Sequence, residues 1–160
     1  MALDTSSVGS RLFQALQADF EFVCLASANR LAPLVESEIE LLVLSAFDIV
    51  GRMTSMTVTI GSEFPEDDKG HILVTPQYRW REFRIDFCIR HTGAPDKMFF
   101  VECDGHDFHE RTKEQAERDR SKDRAIQAAG ISVLRFTGRE IWRDVSHVVT
   151  EIVNFLGSRS

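Results

Sequence analysis

Apolar residues recur at helical spacing from Ser10 to about Ala28 (Leu12, Phe13, Leu16, Phe20, Val23), and Asn29 and Pro33 interrupt the pattern. A second helix is predicted over Leu34 to Val50, where Leu41, Leu42, Leu44 and Phe47 supply a buried face. Thr54–Ile60 then alternates β-branched residues and predicts a strand, and Gly61–Gly70 has the composition of an exposed loop. His71–Gln77 reads as a strand-like approach to two further apolar runs, Arg84–Cys88 and Phe99–Gly105. The turn-prone stretch His91–Asp96 between those runs predicts an antiparallel hairpin. Thr112 and Gln115 form a capping box that opens a helix, which Gly130 closes. Ile131–Phe136 is a strand, and a last helix starts at or near Asp144 and runs through Val148, Ile152 and Leu156. The expected fold is α/β: a central mixed β-sheet flanked by helices, in one domain over residues 1–160. Within it, 1–33 is an N-terminal helical extension and 34–156 the core.

The hairpin carries the chemistry. Symmetry about Ala94 sets Asp86 opposite Glu102, and directly opposed side chains stand about 4.5–5.5 Å apart at Cβ. Period-two alternation adds Asp104 to the Glu102 side. Carboxylates this close repel unless one is protonated or a cation lies between them. An oxygen-ligated divalent ion such as Mg²⁺ resolves the repulsion; the competing reading is a buried ion pair of Asp86 with Arg84 or Arg135.

Charge distribution sharpens this picture. The chain carries a net −6, yet residues 1–76 hold 4 basic against 11 acidic side chains, and residues 77–160 hold 15 against 14. Arg79, Arg81, Arg84 and Arg90 flank the first carboxylate strand, and Arg111, Lys113, Arg118, Arg120, Lys122 and Arg124 follow the second. Acidic residues framed by basic ones suit a site that binds a polyanion and activates its phosphate. No Gly-rich phosphate cradle is present, which argues against a small phosphorylated substrate. No apolar run reaches the roughly 18 residues of a membrane span, and no signal-peptide pattern is evident. The three cysteines, Cys24, Cys88 and Cys103, lack paired-ligand spacing, so reduced thiols in a cytoplasmic setting are expected.

Gln77, Arg84-Ile85-Asp86-Phe87, Glu102-Cys103-Asp104-Gly105, a nearby His106 or His109, Asp119, Lys122-Asp123, Gly130 and Val133-Leu134-Arg135-Phe136 follow one another in this order. That series, from Gln77 to Trp142, resembles the restriction-endonuclease-like, or PD-(D/E)xK, nucleases. It is most similar to their very-short-patch-repair-like domains of unassigned function. Ser37-Glu38-Ile39-Glu40-Leu41 also resembles the acid-bearing first core helix of that family. One departure stands out: Asp104 occupies the position of the namesake lysine.

The resemblance implies a restriction-endonuclease-like fold and a Mg²⁺- or Mn²⁺-dependent deoxyribonuclease, an endonuclease or nickase acting on DNA. It assigns metal ligation to Asp86, Glu102 and the carbonyl of Cys103, with Glu40 or Glu36 reaching in from the side. Asp86, Glu102, Asp104 and His109 form the expected catalytic set, with His106 as rival to His109 and Lys113 or Lys122 as replacements for the lysine. Arg84, Lys113, Lys122 and Arg135 are the expected nucleic-acid contacts. The alternative is a catalytically inactive nucleic-acid-binding or assembly module on the same fold. A homodimer, or a partner subunit that supplies specificity, is compatible with either.

Overall fold

The computed structural model describes residues 5–66, 70–105 and 112–158. Its helices are α1 (Thr5–Leu31), α2 (Glu38–Met53), α3 (Lys113–Ala128), α4 (Gly138–Arg143) and α5 (Val145–Gly157), with a 3₁₀ turn at Ala32–Leu34. The strands are β1 (Thr57–Ile60), β2 (His71–Trp80), β3 (Phe83–His91), β4 (Ala94–Asp104) and β5 (Ser132–Thr137). They form one sheet in the order β1-β2-β3-β4-β5. β2, β3 and β4 are an antiparallel meander, while β1 and β5 join its edges in parallel. This is the expected α/β architecture with a mixed sheet between helices.

Local chemistry explains where the helices start and stop. Ser37 caps α2 through Glu40, and Thr112 caps α3 in a capping box with Gln115. Gly130 follows α3 with φ +67, a left-handed conformation that relieves the end of the helix. The short α4 went unforeseen, although Thr137 and Glu140 form a second capping box that announces it. The second helix starts later than its apolar spacing suggested, because Pro33 sits in the 3₁₀ turn and Ser37 supplies the cap. The strand predicted from Thr54 begins only at Thr57, since Thr54 ends α2 as its C-cap.

Two cores sandwich the sheet. The larger joins Leu31, Val43, Leu44 and Phe47 to Ile72, Val74, Phe87, Ile89, Phe99 and Val101, and to Ile141, Val148, Val149 and Ile152 from α4 and α5. The smaller joins Ile126 of α3 to Trp80, Phe83, Ile85, Cys88 and Phe100. Full burial of each such side chain stabilises by about 1.5–3 kcal/mol relative to exposure.

The cores also expose a change of face. On β3, Phe87 and Ile89 enter the larger core, whereas Phe83 and Ile85, of the same parity, enter the smaller. On β2, Ile72 and Val74 belong to the larger core and Trp80 to the smaller. Strict alternation therefore breaks in both strands at one place. Pro76 pairs with Phe87 and Tyr78 with Ile85, leaving Gln77 beside Asp86, and Gln77 has a positive φ of 49.

Asp48 fixes α1 to α2. It accepts from Ser27 Oγ at 2.7 Å and pairs with Arg30 at 2.8 Å and with Arg52 at 3.1 Å. Burial tends to raise its pKa, but these three partners outweigh that and hold it below the usual range. No described helix is long and apolar enough to cross a membrane. All three cysteines are free, in agreement with the expected thiols.

Gly130→Ala tests the left-handed cap. An added Cβ meets nothing within 4 Å, so backbone strain alone should act, costing about 1 kcal/mol. A urea midpoint shift with unchanged slope would report it, and an unshifted midpoint would show that the cap adds no such cost.

Candidate active site

β3 and β4 part company where the acids lie. Their ladder runs from His91↔Ala94 to Phe87↔Val101 and stops there. β3 continues beside β2 to Phe83, and β4 continues beside β5 to Asp104↔Thr137. Asp86 and Glu102 are the first residues beyond the last rung, at the mouth of this fork. The register up to Phe87↔Val101 is the expected one and ends one residue short of Asp86 and Glu102, but the turn is tighter than symmetry about Ala94 implied. It falls at Thr92-Gly93, and an irregularity between Arg90 and His91 absorbs the extra residues of β4.

At the fork one acid takes a backbone donor and the other a side-chain one. Asp86 Oδ2 accepts from the Cys103 amide at 2.7 Å. Burial, and then repulsion by Glu102, push the Asp86 pKa up to about 7. Glu102 is only 5% exposed, and burial raises its pKa against the pull of Lys122. Lys122 Nζ lies 2.8 Å from Glu102 Oε2. The other oxygen, Glu102 Oε1, is buried with no hydrogen-bond partner among the described residues.

Glu40 approaches from α2. Its Oε1 accepts from Ser37 Oγ at 2.6 Å, and its Oε2 accepts from Gln77 Nε2 at 2.5 Å and from the Glu36 amide at 3.2 Å. It lies close enough to raise the pKa of Asp86. The Gln77 nitrogen must face this carboxylate, so its Oε1 faces the other way, buried and without a partner among the described residues. A non-glycine residue at positive φ is uncommon, and here it places a side-chain amide between Glu40 and the fork.

The remaining expected site residues divide clearly. Asp104 is partly buried and near enough to raise the Glu102 pKa. The Cys103 amide serves Asp86, and its thiol packs against the larger core, where burial and then the charges of Asp86, Glu40, Glu102 and Asp104 push its pKa up. Arg84 pairs with Glu36 and Arg135 with Asp123, so neither forms the buried pair with Asp86 that the competing reading required. Lys113 is exposed in the first turn of α3. His106 and His109 lie outside the described residues.

A groove of about 520 Å³ opens beside the fork, lined by Arg79, Arg81, Arg84, Arg118, Lys122, Asp86 and Asp119 among others. The Arg79–Arg81 side was legible as basic flanking sequence, but its meeting with α3 was not.

The donors fit a hard cation only in part. Two carboxylates and a buried orphan oxygen are what Mg²⁺ takes, since it commonly binds one or two carboxylates and completes its shell with water and phosphate. Among the described residues, however, no group of three His, Cys, Asp or Glu is placed to hold a metal by itself. Part of the charge expected to require a metal is met by Lys122 instead.

A five-stranded mixed sheet flanked by helices is consistent with the restriction-endonuclease-like class of α/β proteins. The chain belongs to one family of that class: residues 67–156 match the family described as REase_MTES_1575. No curated protein and no solved structure matches it.

The raised Asp86 pKa gives a test by pH. The folded state holds this proton more tightly than the unfolded chain, whose pKa is about 3.9. The favourable contribution is present below about pH 4 and lost as pH rises to about 7. Asp86→Asn should therefore gain stability over the wild type as pH rises from about 4 to 7, by a few kcal/mol at most, and level off above that. Parallel urea titrations of both proteins check this; a difference independent of pH would mean that Asp86 titrates normally.

Proposed function

We propose that the protein is a metal-dependent nuclease that hydrolyses DNA phosphodiester bonds, as an endonuclease or nickase. The observation that carries this reading is the proximity of Asp86 to Glu102 at the fork, with Lys122 2.8 Å from Glu102. Asp86, Glu102 and the Cys103 carbonyl would hold Mg²⁺ or Mn²⁺, with Glu40 adjoining. Such a cation polarises a phosphodiester and acidifies the attacking water. Lys122 supplies the positive charge that Asp104 cannot, so the lysine is carried by α3 rather than by the strand. Its ammonium neutralises Glu102 in the resting state and can turn to the developing charge on the phosphate. Asp104 adds negative potential beside Glu102 and strengthens the hold on a cation. His109 is assigned proton transfer to the leaving oxygen.

The order of Arg84-Ile85-Asp86-Phe87 and Glu102-Cys103-Asp104-Gly105 supports the very-short-patch-repair-like subgroup, and with it nicking. Three free thiols suit a reducing, cytoplasmic setting. Exposed apolar residues on α1, such as Phe22 and Leu25, suit a second copy or a specificity-giving subunit. The inactive-module alternative draws its support from the closed Glu102–Lys122 pair and the lack of a three-acid group among the described residues.

Supercoiled plasmid and single-stranded DNA, incubated with Mg²⁺ or Mn²⁺, test the proposal. Wild type should nick or cleave, chelation should abolish this, and Asp86→Ala and Lys122→Ala should each lose at least about a hundredfold, as loss of one positioned charge commonly costs. DNA binding without cleavage under every metal would favour the inactive module. Cleavage surviving both Asp86→Ala and Lys122→Ala would move the chemistry to other residues.

The metal reading also has a readout without turnover. Saturating Mg²⁺ or Mn²⁺ should raise the melting temperature of wild type, by about 2.7 kcal/mol of stability at one hundred times Kd. Asp86→Asn should lose most of the shift. Equal melting curves with and without metal, together with silent calorimetry, would refute it.

A further inference from the structure

The residues first expected to touch nucleic acid are mostly committed elsewhere: Arg84 to Glu36, Lys122 to Glu102 and Arg135 to Asp123. A guanidinium already paired bidentately to a carboxylate is a poor phosphate ligand, because it must first break that pair. The groove beside Asp86 contains three other arginines, Arg79, Arg81 and Arg118. We infer that Arg79, Arg81 and Arg118 form a strip that binds the phosphates of a nucleic-acid backbone and feeds the scissile phosphate to the fork. This deepens the nuclease reading and rests on it.

Three features carry the inference. None of the three arginines has an ion-pair partner among the described residues, and all three are exposed. Arg79 and Arg81 come from the end of β2 and its turn and Arg118 from α3, and all three line one groove with Asp86 and Lys122. Arg81 is held in place. Its guanidinium stacks over Trp80 at 4.5 Å, and its backbone has a positive φ of 54 in the β2–β3 turn. Stacking leaves the edge of a guanidinium, with its N–H donors, free for phosphate oxygens while reducing the ordering cost of binding. Trp80 is itself anchored, edge-on to Phe100 at 5.6 Å and stacked with Phe83, so the platform is part of the smaller core.

A backbone ligand fits this groove better than a free base. Its lining is dominated by charged side chains, and its aromatic residues are buried beneath the surface rather than offered as stacking faces. Repeated phosphates are what separated guanidiniums bind. Glu82 and Asp119 also line the groove and will repel a phosphate that strays from the arginines. That spacing of signs favours one path for the strand.

The test measures binding in the absence of turnover. Fluorescence anisotropy with a labelled mixed-sequence duplex and a single strand, in EDTA and then in Ca²⁺, compares wild type with Arg79→Ala, Arg81→Ala, Arg118→Ala and the triple variant. Each single change should weaken binding roughly three- to tenfold, and the triple should lower the salt slope of log Kd by about 2 to 3. Arg143→Ala, on α4 away from the groove, should leave binding unchanged. Trp80→Phe, which keeps the core filled but shrinks the platform, should weaken binding through Arg81 and have no effect in the Arg81→Ala background. Unchanged Kd and salt slope in the triple variant would overturn the strip, whether or not the protein cleaves. Reduced binding in a protein that never cleaves would uphold the strip and reject the nuclease reading.

Discussion

Everything at the site depends on two carboxylates, Glu102 buried and Asp86 partly buried, standing at the point where β3 and β4 separate. Ionised acids in that position repel, and burial raises the cost further. The protein offsets this with a backbone amide, from Cys103, an ammonium, from Lys122, and the charge of Arg135 acting on Glu102. The offset is incomplete: Glu102 retains a buried oxygen without a partner among the described residues, and Asp86 holds its proton up to about pH 7. Apolar residues in place of such acids would remove that cost.

The rest of the architecture serves to hold that arrangement. The two cores clamp the sheet from both sides, and the change of face at Gln77 and Asp86 lets the β2–β3 ribbon leave one core and enter the other. At that crossing an acid from α2 reaches the site through the Gln77 amide. The parallel β4–α3–β5 unit brings Lys122 back over the strand that carries Glu102. Side chains more than thirty positions apart, such as Glu40 and Gln77, are thus joined by hydrogen bonds that no local motif announces.

Local chemistry was read well. The capping box at Thr112 and the left-handed Gly130 were written in the residues, as were the apolar faces of α2 and α5 and the antiparallel β3–β4 hairpin. The same rules apply to α4, where Thr137 and Glu140 are the capping signal although the apolar spacing gives none. The beginnings of α2 and β1 were misplaced because apolar spacing alone cannot weigh a proline or a cap against periodicity.

What the sequence by itself determined is the set of elements and the identity of the acids, because capping, turn chemistry and hydrophobic period are properties of neighbours in the chain. Only the tertiary structure decided which charges meet. Arg84 and Arg135, adjacent to the acids in sequence or register, turned to Glu36 and Asp123, while Lys122, distant along the chain, reached Glu102. Period-two alternation could not reveal this, because it presumes a regular strand, and β2 and β3 both break step where the site lies. Ion pairing follows distance and burial in space, and those are fixed only when helices have packed on the sheet.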